Sequence, residues 1–424
     1  MHDSLVTRRT FLRSTTASAA AAAIGFPAIV RSRGSAAETL KIGLLEELTG
    51  VPSGLATRNA RGAMMALEAW NQRGGVLGRQ VEAVEEDCQT NPGVTVTKVR
   101  KLVNQDRVVA LMGTVNSADT LAASATANSF GKVFIDPGAH SDQIVGKSCH
   151  WNTFMTCHNT WQMTHATGFS IAKKLSKERW YFVTPDFAYG HDVVHGYEDV
   201  IKRIGGSIAG NALIPLGTSE YSAYITKIQS ASPSVLIVLL FGSDLVNFLK
   251  QARAFGLLAK VPVAGPLLFY EDAWAMAPED RVGYWGVDWY YKSDSVLGSN
   301  NTVARDFIAA YTKRYKEPPS DYSATGYVSM DRLLWAIDKA KSTDSVKIAR
   351  TLEGAEFQSL WAGTTHYSRV NHRLIWPAWF GQLHAHGTAD DPYDILTIID
   401  RQPPHEETAA ELAARGQACN LGFP

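Results

Sequence analysis

The sequence lacks an excess of charge of either sign. Its 424 residues include 41 basic and 41 acidic side chains, so the formal net charge is zero. A nucleic-acid binder needs an electropositive surface that neutralises phosphates, and this balance predicts no such partner. Hydrophobic residues make up 45% and charged residues 19%, which is typical of a globular protein. The length leaves room for two or three domains.

Cysteine pairs and long apolar runs are also missing. The cysteines are Cys88, Cys149, Cys157 and Cys419, and no two of them form a Cys-x-x-Cys motif. This spacing excludes a zinc ribbon or an iron–sulfur centre. No apolar stretch of about 18 residues occurs outside the N-terminus, which excludes a polytopic membrane protein.

Catalytic motifs are absent as well. The sequence has no dinucleotide-binding Gly-x-Gly-x-x-Gly after its first predicted strand, no phosphate-binding P-loop, no Gly-x-Ser-x-Gly and no His-Glu-x-x-His. Two histidine groups are weighed as metal ligands: His191 with His195, and His150 with His158 and His165. Neither has a further ligand at a defined spacing, so we expect polar surface or hydrogen-bonding roles. The sequence therefore predicts no enzyme, no metal and no cofactor.

The N-terminus has the pattern of an export signal. Residues 7–13 read Thr-Arg-Arg-Thr-Phe-Leu-Arg, a modest apolar stretch follows over 17–30, and Ser35-Ala36-Ala37 offers small residues for a signal peptidase. This order predicts a twin-arginine signal peptide over residues 1–37 and a mature chain in the periplasm from about Glu38. The alternative is a basic, alanine-rich disordered start.

Strand and helix patterns alternate through most of the mature chain. Short apolar segments such as Leu40–Leu45 and Val235–Leu240 are strand-like, and segments such as 59–72 and 245–255 have helical spacing. Repeated βαβ units predict an α/β fold of parallel sheets with helices on both faces. Two runs of such units, separated near residues 150–165, predict two similar lobes.

Seven short segments occur in an order that is more specific than any one of them. They are Lys41–Gly43, Asn71–Gly78, Gly113–Ser117, Asp136–Ser141, Asp186–Gly190, Gln251–Leu257 and Val263–Pro266. In this order the chain resembles, over about residues 39–385, the solute-binding proteins of ABC transporters. It is most similar to the branched-chain amino acid and amide group, which is Leu/Ile/Val-binding-protein-like and has the type I periplasmic binding protein fold.

The resemblance implies two Rossmann-like lobes joined by three crossover segments, in a monomer. Lobe 1 would comprise 39–157 with 289–376, and lobe 2 would comprise 158–288 with 377–400, followed by a tail over 401–424. A small-molecule ligand would bind in the cleft, and an ABC permease would recognise the closed form. The alternatives are an envelope sensor of the same fold that signals to a chemoreceptor or kinase, and an enzyme.

The resemblance also implies the ligand-binding residues. Ser117, Ala139, His140 and Ser141 would hold a carboxylate with hydroxyl and backbone groups. The family usually has threonine in this second loop, so His140 is a departure and Ser141 is the candidate for the hydroxyl. The aromatic candidates, for which core packing is the alternative, are Tyr189 and Phe241, with Trp161, Phe187, Phe269 and Tyr270 in a second rank. For Ser117 the alternative is a helix N-cap.

One further departure bears on the ligand. Amino-acid binders of the family carry a glutamate after Gly-Pro that pairs with the ligand's ammonium, whereas this chain has Leu267 after Gly265-Pro266. Burying an ammonium without a counter-charge costs several kcal/mol. We therefore expect a small carboxylate or amide without a free α-amino group, such as an aromatic or branched-chain oxo or hydroxy acid. An amino acid is the second possibility, and Glu271 and Asp272 are candidates to replace the glutamate.

The resemblance finally suggests a disulfide. Four cysteines in an oxidising compartment allow three pairings. Related chains with cysteines at both places suggest that Cys149 pairs with Cys419 and ties the tail to a lobe. The rival pairing joins Cys149 to Cys157 and leaves Cys88 free.

Overall fold

Two large β-sheets organise residues 38–424, the part of the chain that this computed structural model describes. The strands, numbered β1 to β15 in chain order, are Leu40–Glu46, Val81–Asp87, Ala110–Gly113, Phe134–Asp136, Thr153–Met155, Arg179–Pro185, Ser207–Ile214, Val235–Val238, Val263–Gly265, Tyr284–Val287, Phe357–Gln358, Thr364–Tyr367, Leu374–Ile375, Ala378–Leu383 and Leu396–Gln402. The helices, numbered α1 to α13, are Ser53–Gln72, Pro92–Asn104, Ser117–Ser129, Thr160–Lys174, Ala188–Ile204, Ser222–Ala231, Gly242–Ala254, Tyr270–Ala275, Asp294–Leu297, Thr302–Tyr315, Asp321–Ala340, Ser345–Leu352 and Ala409–Ala414.

The first sheet is wholly parallel, with the strand order β2-β1-β3-β4-β5. Its interior strand β1 buries the adjacent Leu44 and Leu45 completely, on opposite faces, as expected for a strand covered on both faces. Helices α1 and α11 pack very closely beside this sheet. A Cβ added at Gly62 of α1 would lie 1.9 Å from the carbonyl oxygen of Ser323, so only glycine permits this approach, which fixes the start of α11 near the sheet.

The second sheet is parallel over most of its width, as predicted, and has two antiparallel pairs at one edge. Its order is β15-β14-β10-β9-β8-β6-β7, and the pairs β10–β14 and β14–β15 are antiparallel. The chain returns from β14 to β15 through residues 384–395 without a crossover helix, and only antiparallel neighbours allow such a return. A small antiparallel sheet of β11, β12 and β13 lies outside both.

Three segments cross between the two sheets, and one histidine contacts all of them. His158 lies on the first crossing, between β5 and α4; Asp288 follows β10 on the second; Trp376 precedes β14 on the third. His158 Nδ1 lies 2.7 Å from Asp288 Oδ1, and its Nε2 lies 3.3 Å from the carbonyl oxygen of Trp376. The rings of His158 and Trp376 stack at 4.1 Å between centroids. The crossings are therefore joined side by side rather than independent.

The C-terminal residues are held by charge and by a covalent bond. A disulfide joins Cys149 to Cys419, the pair that the resemblance suggests, with the two Cα atoms 5.7 Å apart. Arg415 donates to Asp142 at 3.1 Å and also to Glu407. The buried Arg373 donates to the carbonyl oxygen of His405 at 2.6 Å. The segment expected as an irregular tail from residue 401 thus begins inside β15 and is packed against the crossing region.

We predict that breaking this disulfide lowers stability. Reduction of the native protein should lower the free energy of unfolding by about 2–5 kcal/mol, because the bond closes a very long loop in the unfolded chain. Chemical denaturation with and without reductant measures the difference. Alkylation of the unfolded, unreduced protein should label Cys88 and Cys157, which are unpaired among the described residues.

The double variant Cys149→Ser, Cys419→Ser is the control, and its unfolding should not respond to reductant. Labelling of Cys419 in the unreduced wild-type protein would contradict the pairing.

Candidate functional site

A small cavity lies between the two lobes. It is lined by residues from both, which are Val115, Ser117, His140 and Tyr322 on one side and Phe187, Tyr189, Phe241 and Phe269 on the other. Six of the residues expected at a ligand site therefore meet here: Ser117, His140, Phe187, Tyr189, Phe241 and Phe269. The space enclosed between the lobes is about 10 Å³, room for about one water molecule, so a ligand enters only when the lobes separate.

The strand order explains why these residues meet. Ser117 follows β3 and His140 follows β4, while Tyr189, Phe241 and Phe269 follow β6, β8 and β9. The carboxyl ends of parallel strands lie at one edge of each sheet, and the loops that follow them form the crevice in which ligands bind. The two such edges face each other across the cavity.

Ser117 is free to serve the cavity because another residue caps its helix. The side chain of Asn116 accepts hydrogen bonds from the backbone N–H groups of Ala118 at 2.9 Å and Asp119 at 3.3 Å. Asn116 is thus the N-cap of α3, and the capping role considered for Ser117 is wrong. Ser117 Oγ accepts only the N–H of Ser141, at 3.3 Å, among the described hydrogen bonds. Its own hydrogen can therefore be donated to a ligand.

Two buried carboxyl groups position the loop before Ser117. Glu47 accepts the N–H of Val115 at 2.9 Å and that of Asn116 at 3.1 Å. Burial, reinforced by the nearby Asp119, raises the pKa of Glu47 to about 8. Burial also raises the pKa of Asp119 to about 6. The contacts that hold this loop thus require Glu47 and Asp119 to lie in a buried environment that disfavours their charged forms.

The aromatic wall is formed by residues that begin helices. Phe187, Phe241 and Phe269 occupy the N-cap positions of α5, α7 and α8, where Ser, Thr, Asp or Asn is usual. A phenyl ring has no oxygen or nitrogen atom, so none of the three side chains can cap the helix that it precedes. The ring centroids of Phe241 and Phe269 are 6.0 Å apart, and those of Phe241 and Tyr189 are 6.2 Å apart. An aromatic residue in place of a cap is the sequence signal that would have ranked Phe187 and Phe269 higher.

Two of the residues that line this cavity carry phenolic hydroxyl groups, Tyr189 and Tyr322. Tyr189 Oη is buried and has no hydrogen-bond partner within residues 38–424. A buried unpartnered hydroxyl is costly unless a ligand or water pairs with it. Tyr322, at the start of α11, donates to the carbonyl oxygen of Gly138 at 3.0 Å. Tyr322 and Val115 were not predicted as site residues. Tyr322 lies on α11, far along the chain from the other lining residues, and the valine side chain has no group that indicates ligand binding.

Four other expected residues adjoin the cavity without lining it. Ala139 donates its N–H to Asp136 at 2.8 Å, and Ser141 Oγ donates to Asp192 on the opposite lobe. Leu267 is buried in the apolar cluster that contains Phe241 and Phe269. Tyr270 faces away and stacks on Tyr290 at 5.5 Å.

Trp161 is a correction, because it belongs to a different surface. Its ring lies 3.5 Å from that of His165 between centroids, and the Arg415 guanidinium sits over it at 4.2 Å. The backbone N–H of Trp161 donates to Asp142 at 2.9 Å. The C-terminal segment therefore covers this tryptophan, and it does not reach the cavity.

Glu271 and Asp272 do not line the cavity either. Glu271 accepts from Ser320 and lies 3.9 Å from Arg58, both on the first lobe. Asp272 accepts the N–H of Gly242 at 2.6 Å, and burial with the neighbouring Glu271 raises its pKa to about 8. Both carboxyl groups thus have partners away from the cavity lining, whereas the second oxygen of Glu271, Oε2, is buried without a partner in residues 38–424.

Residues 39–388 match the sequence profile of a family described as periplasmic binding proteins. The chain belongs to this family. It is 26% identical over 353 residues to the Leu/Ile/Val-binding protein homolog 7 of Brucella suis biovar 1 (strain 1330), an alignment that covers 80% of this chain and 86% of the relative. The expected family is thereby confirmed.

Solved structures confirm the type I periplasmic binding protein fold. An amino acid ABC transporter substrate-binding protein from Pseudomonas fluorescens Pf-5 superposes with a TM-score of 0.80 at 25% identity, covering 91% of this chain and all of that one. An ABC transporter solute-binding protein from R. palustris, in complex with benzoate, superposes with a TM-score of 0.76 at 22% identity. That match covers 87% of this chain and 98% of the other, and it shows a shared fold.

Two kinds of structural feature are absent from residues 38–424. No helix in this range is long and apolar enough to cross a membrane. No group of three or more histidine, cysteine or acidic side chains there is arranged to hold a metal ion.

We predict that Asp119→Asn stabilises the protein at pH 8, by about 1–3 kcal/mol. The folded-state pKa values of Asp119 and Glu47 lie above their ordinary values, so their contribution to stability is lost as pH rises from about 4 to 8. The asparagine removes one of the two charges and can still accept from Thr95, as Asp119 does at 2.9 Å. Denaturant unfolding across this pH range measures the effect.

The gain should shrink toward pH 4, where the unfolded carboxyl also takes up a proton. Asp390→Asn, at an exposed position, is the matched control and should change stability little at any pH. A loss of stability in Asp119→Asn at pH 8 would show that its charge helps to hold the loop.

Proposed function

We propose that this protein captures a small carboxylate without a free α-amino group in the cavity between its lobes and delivers it to an ABC permease. The preferred ligands are aromatic or branched-chain oxo and hydroxy acids. The protein would act as a monomer, exported to the periplasm by the twin-arginine route. The expected signal peptide, residues 1–37, lies outside the described residues.

The observation that carries this proposal is the chemistry of the cavity lining. The eight lining residues include no acidic side chain, and the nearby Glu271 and Asp272 are engaged elsewhere. An ammonium group in this space would be buried among phenyl rings without a counter-charge, at a cost of several kcal/mol. The lining thus favours ligands that lack that group.

The same lining suits an apolar body with one acidic end. The rings of Phe187, Phe241 and Phe269 offer apolar contact, whereas Ser117, His140 and Tyr189 offer polar groups. The fold accommodates an aromatic carboxylate, since the R. palustris protein of the same fold is in complex with benzoate. Delivery to a permease fits the polar contacts that close the lobes, such as Ser141 with Asp192.

We predict that oxo and hydroxy acids bind more tightly than the matching amino acids. A thermal-shift screen would compare phenylpyruvate, phenyllactate and phenylalanine, and 4-methyl-2-oxopentanoate against leucine, with benzoate as a further aromatic acid. We expect the deaminated acids to raise the melting temperature at concentrations where the amino acids have no effect.

Tight binding of leucine or phenylalanine, without a response to their deaminated analogues, would refute the proposed ligand class. A response to none of the acids would refute carboxylate capture as a whole.

We predict that Ser117→Ala weakens binding of the acid that gives the largest shift by about 1–3 kcal/mol, because the carboxylate loses a hydrogen bond in a closed site. Calorimetric titration measures the affinity. Unfolding of the empty protein should change little, since Ser117 Oγ accepts only one long hydrogen bond among the described residues.

Ser124→Ala is the matched control. Ser124 lies on the same helix, is buried, and has no partner for its hydroxyl in the described part of the chain, yet it does not line the cavity. Its variant should bind with unchanged affinity, and an equal loss in both variants would assign the effect to the helix rather than to the hydroxyl.

A further inference from the structure

The cavity offers a carboxylate no permanent positive charge. Its eight lining residues include no lysine or arginine, and His140 is the one lining side chain that can take up a proton near neutral pH. An unpaired carboxylate in an apolar cavity carries a large desolvation cost. The charge balance of the complex therefore depends on His140.

The hydrogen bonds of His140 fix where its proton lies. Its Nδ1 is 2.7 Å from the carbonyl oxygen of His158, which can only accept, so Nδ1 carries a hydrogen. Its Nε2 is 3.3 Å from Tyr322 Oη, but the Tyr322 hydrogen is directed to the carbonyl oxygen of Gly138. In the neutral ring, Nε2 thus carries the lone pair, and the Tyr322 hydroxyl is the group within residues 38–424 that lies within hydrogen-bond distance of it.

Several charged and titratable groups surround this ring. Asp288 acts from the second crossing and is itself paired with the His158 ring at 2.7 Å. Tyr322 lies on α11, and Tyr189 lies on α5 with its ring centroid 6.2 Å away. Asp136 on β4 binds the N–H groups of Gly138 and Ala139, and Asp192 on α5 binds Ser141. Burial lowers the pKa of His140, and the attraction of Asp288 does not offset this effect. The empty cavity thus holds a neutral ring.

We propose that the carboxylate ligand binds together with one proton from solvent, which His140 Nε2 and the ligand's carboxylate share. This inference rests on the proposed carboxylate ligand. A bare carboxylate would face the lone pair of Nε2, and the added proton converts that repulsion into a charge-assisted hydrogen bond. The ring stays in place because Nδ1 keeps its bond to His158.

The sign of the pH dependence follows from this coupling. The carboxylate favours the protonated ring, so His140 takes up its proton at a higher pH in the complex than in the empty protein. Between these two points the affinity should fall up to about tenfold for each unit of rising pH. A neutral ligand of the same shape should show no such dependence.

Calorimetric titration with benzoate and with 4-methyl-2-oxopentanoate tests the proposal. Each titration is repeated between pH 6 and 8 in buffers of different ionisation enthalpy, which gives the number of protons taken up on binding. We expect roughly 0.5–1 proton per carboxylate within the coupled range, and none with benzamide, which is uncharged.

The variant His140→Asn tests whether His140 is the group that takes up the proton. Asparagine has an amide N–H that can donate to the carbonyl oxygen of His158, but it cannot take up a proton. We expect this variant to bind the acids more weakly at pH 6, with no proton uptake and a flat pH profile. His191→Asn is the matched control, because His191 is about half exposed and bonds to Asp186, and it should keep the wild-type proton count.

Each outcome decides a separate point. Binding of either acid without proton uptake by the wild-type protein overturns the inference and leaves the proposed ligand class intact. Uptake that persists in His140→Asn assigns the proton to another group and also overturns it. Absence of binding by both acids overturns the ligand class and the inference together. The wild-type proton count stands even if His140→Asn does not fold.

Discussion

The contacts of His158 are the constraint on which the rest of this structure depends. One ring bonds to Asp288 and to the carbonyl oxygen of Trp376 and stacks on the Trp376 indole, so three crossing segments are held side by side. Both ring nitrogens lie beside oxygen atoms, one of the Asp288 carboxylate and one of the Trp376 carbonyl. Burial of Asp288 raises its pKa, but the interaction with His158 lowers it by more. The pKa of Asp288 therefore lies below its ordinary value. Any movement of one lobe relative to the other therefore takes place about three crossing segments that contact one another.

The ligand site is connected to this joint through the backbone. His140 donates to the carbonyl oxygen of His158, so the side chain that faces the cavity is bonded to the first crossing segment. Contacts from opposite lobes surround the same region, with Ser141 donating to Asp192 and Arg58 near Glu271. Cavity, crossing segments and lobe-to-lobe contacts form one continuous set of polar groups beneath an aromatic wall. The cavity lining is thus connected to the crossing segments by the hydrogen bond from His140 to His158.

Local sequence patterns predicted the strands and helices well. They also predicted those site residues that come directly after a strand. The positions of Ser117, His140, Tyr189 and Phe241 follow from one rule, that loops after parallel strands form the crevice. Trp161 also lies near a helix start, yet Arg415 covers it from a segment that is distant in the chain. Tyr322 lines the cavity from the start of α11, where Gly62 of α1 permits a close approach at the next residue, Ser323. Local spacing carries no information about such long-range contacts.

The sequence by itself determined the alternation of strands and helices, the two lobes and the absence of catalytic motifs, because each depends on periodicity or on short motifs. Tertiary structure alone decided that Asn116 rather than Ser117 caps α3, that the last two strands run antiparallel, and that Glu271 and Asp272 are engaged away from the cavity. It also decided that His140 lines the cavity with its Nδ1 bonded to the carbonyl oxygen of His158 and its Nε2 beside the Tyr322 hydroxyl. Hydrogen-bond partners and burial are set by groups that fold together from distant parts of the chain, and these groups fix the charge of the site.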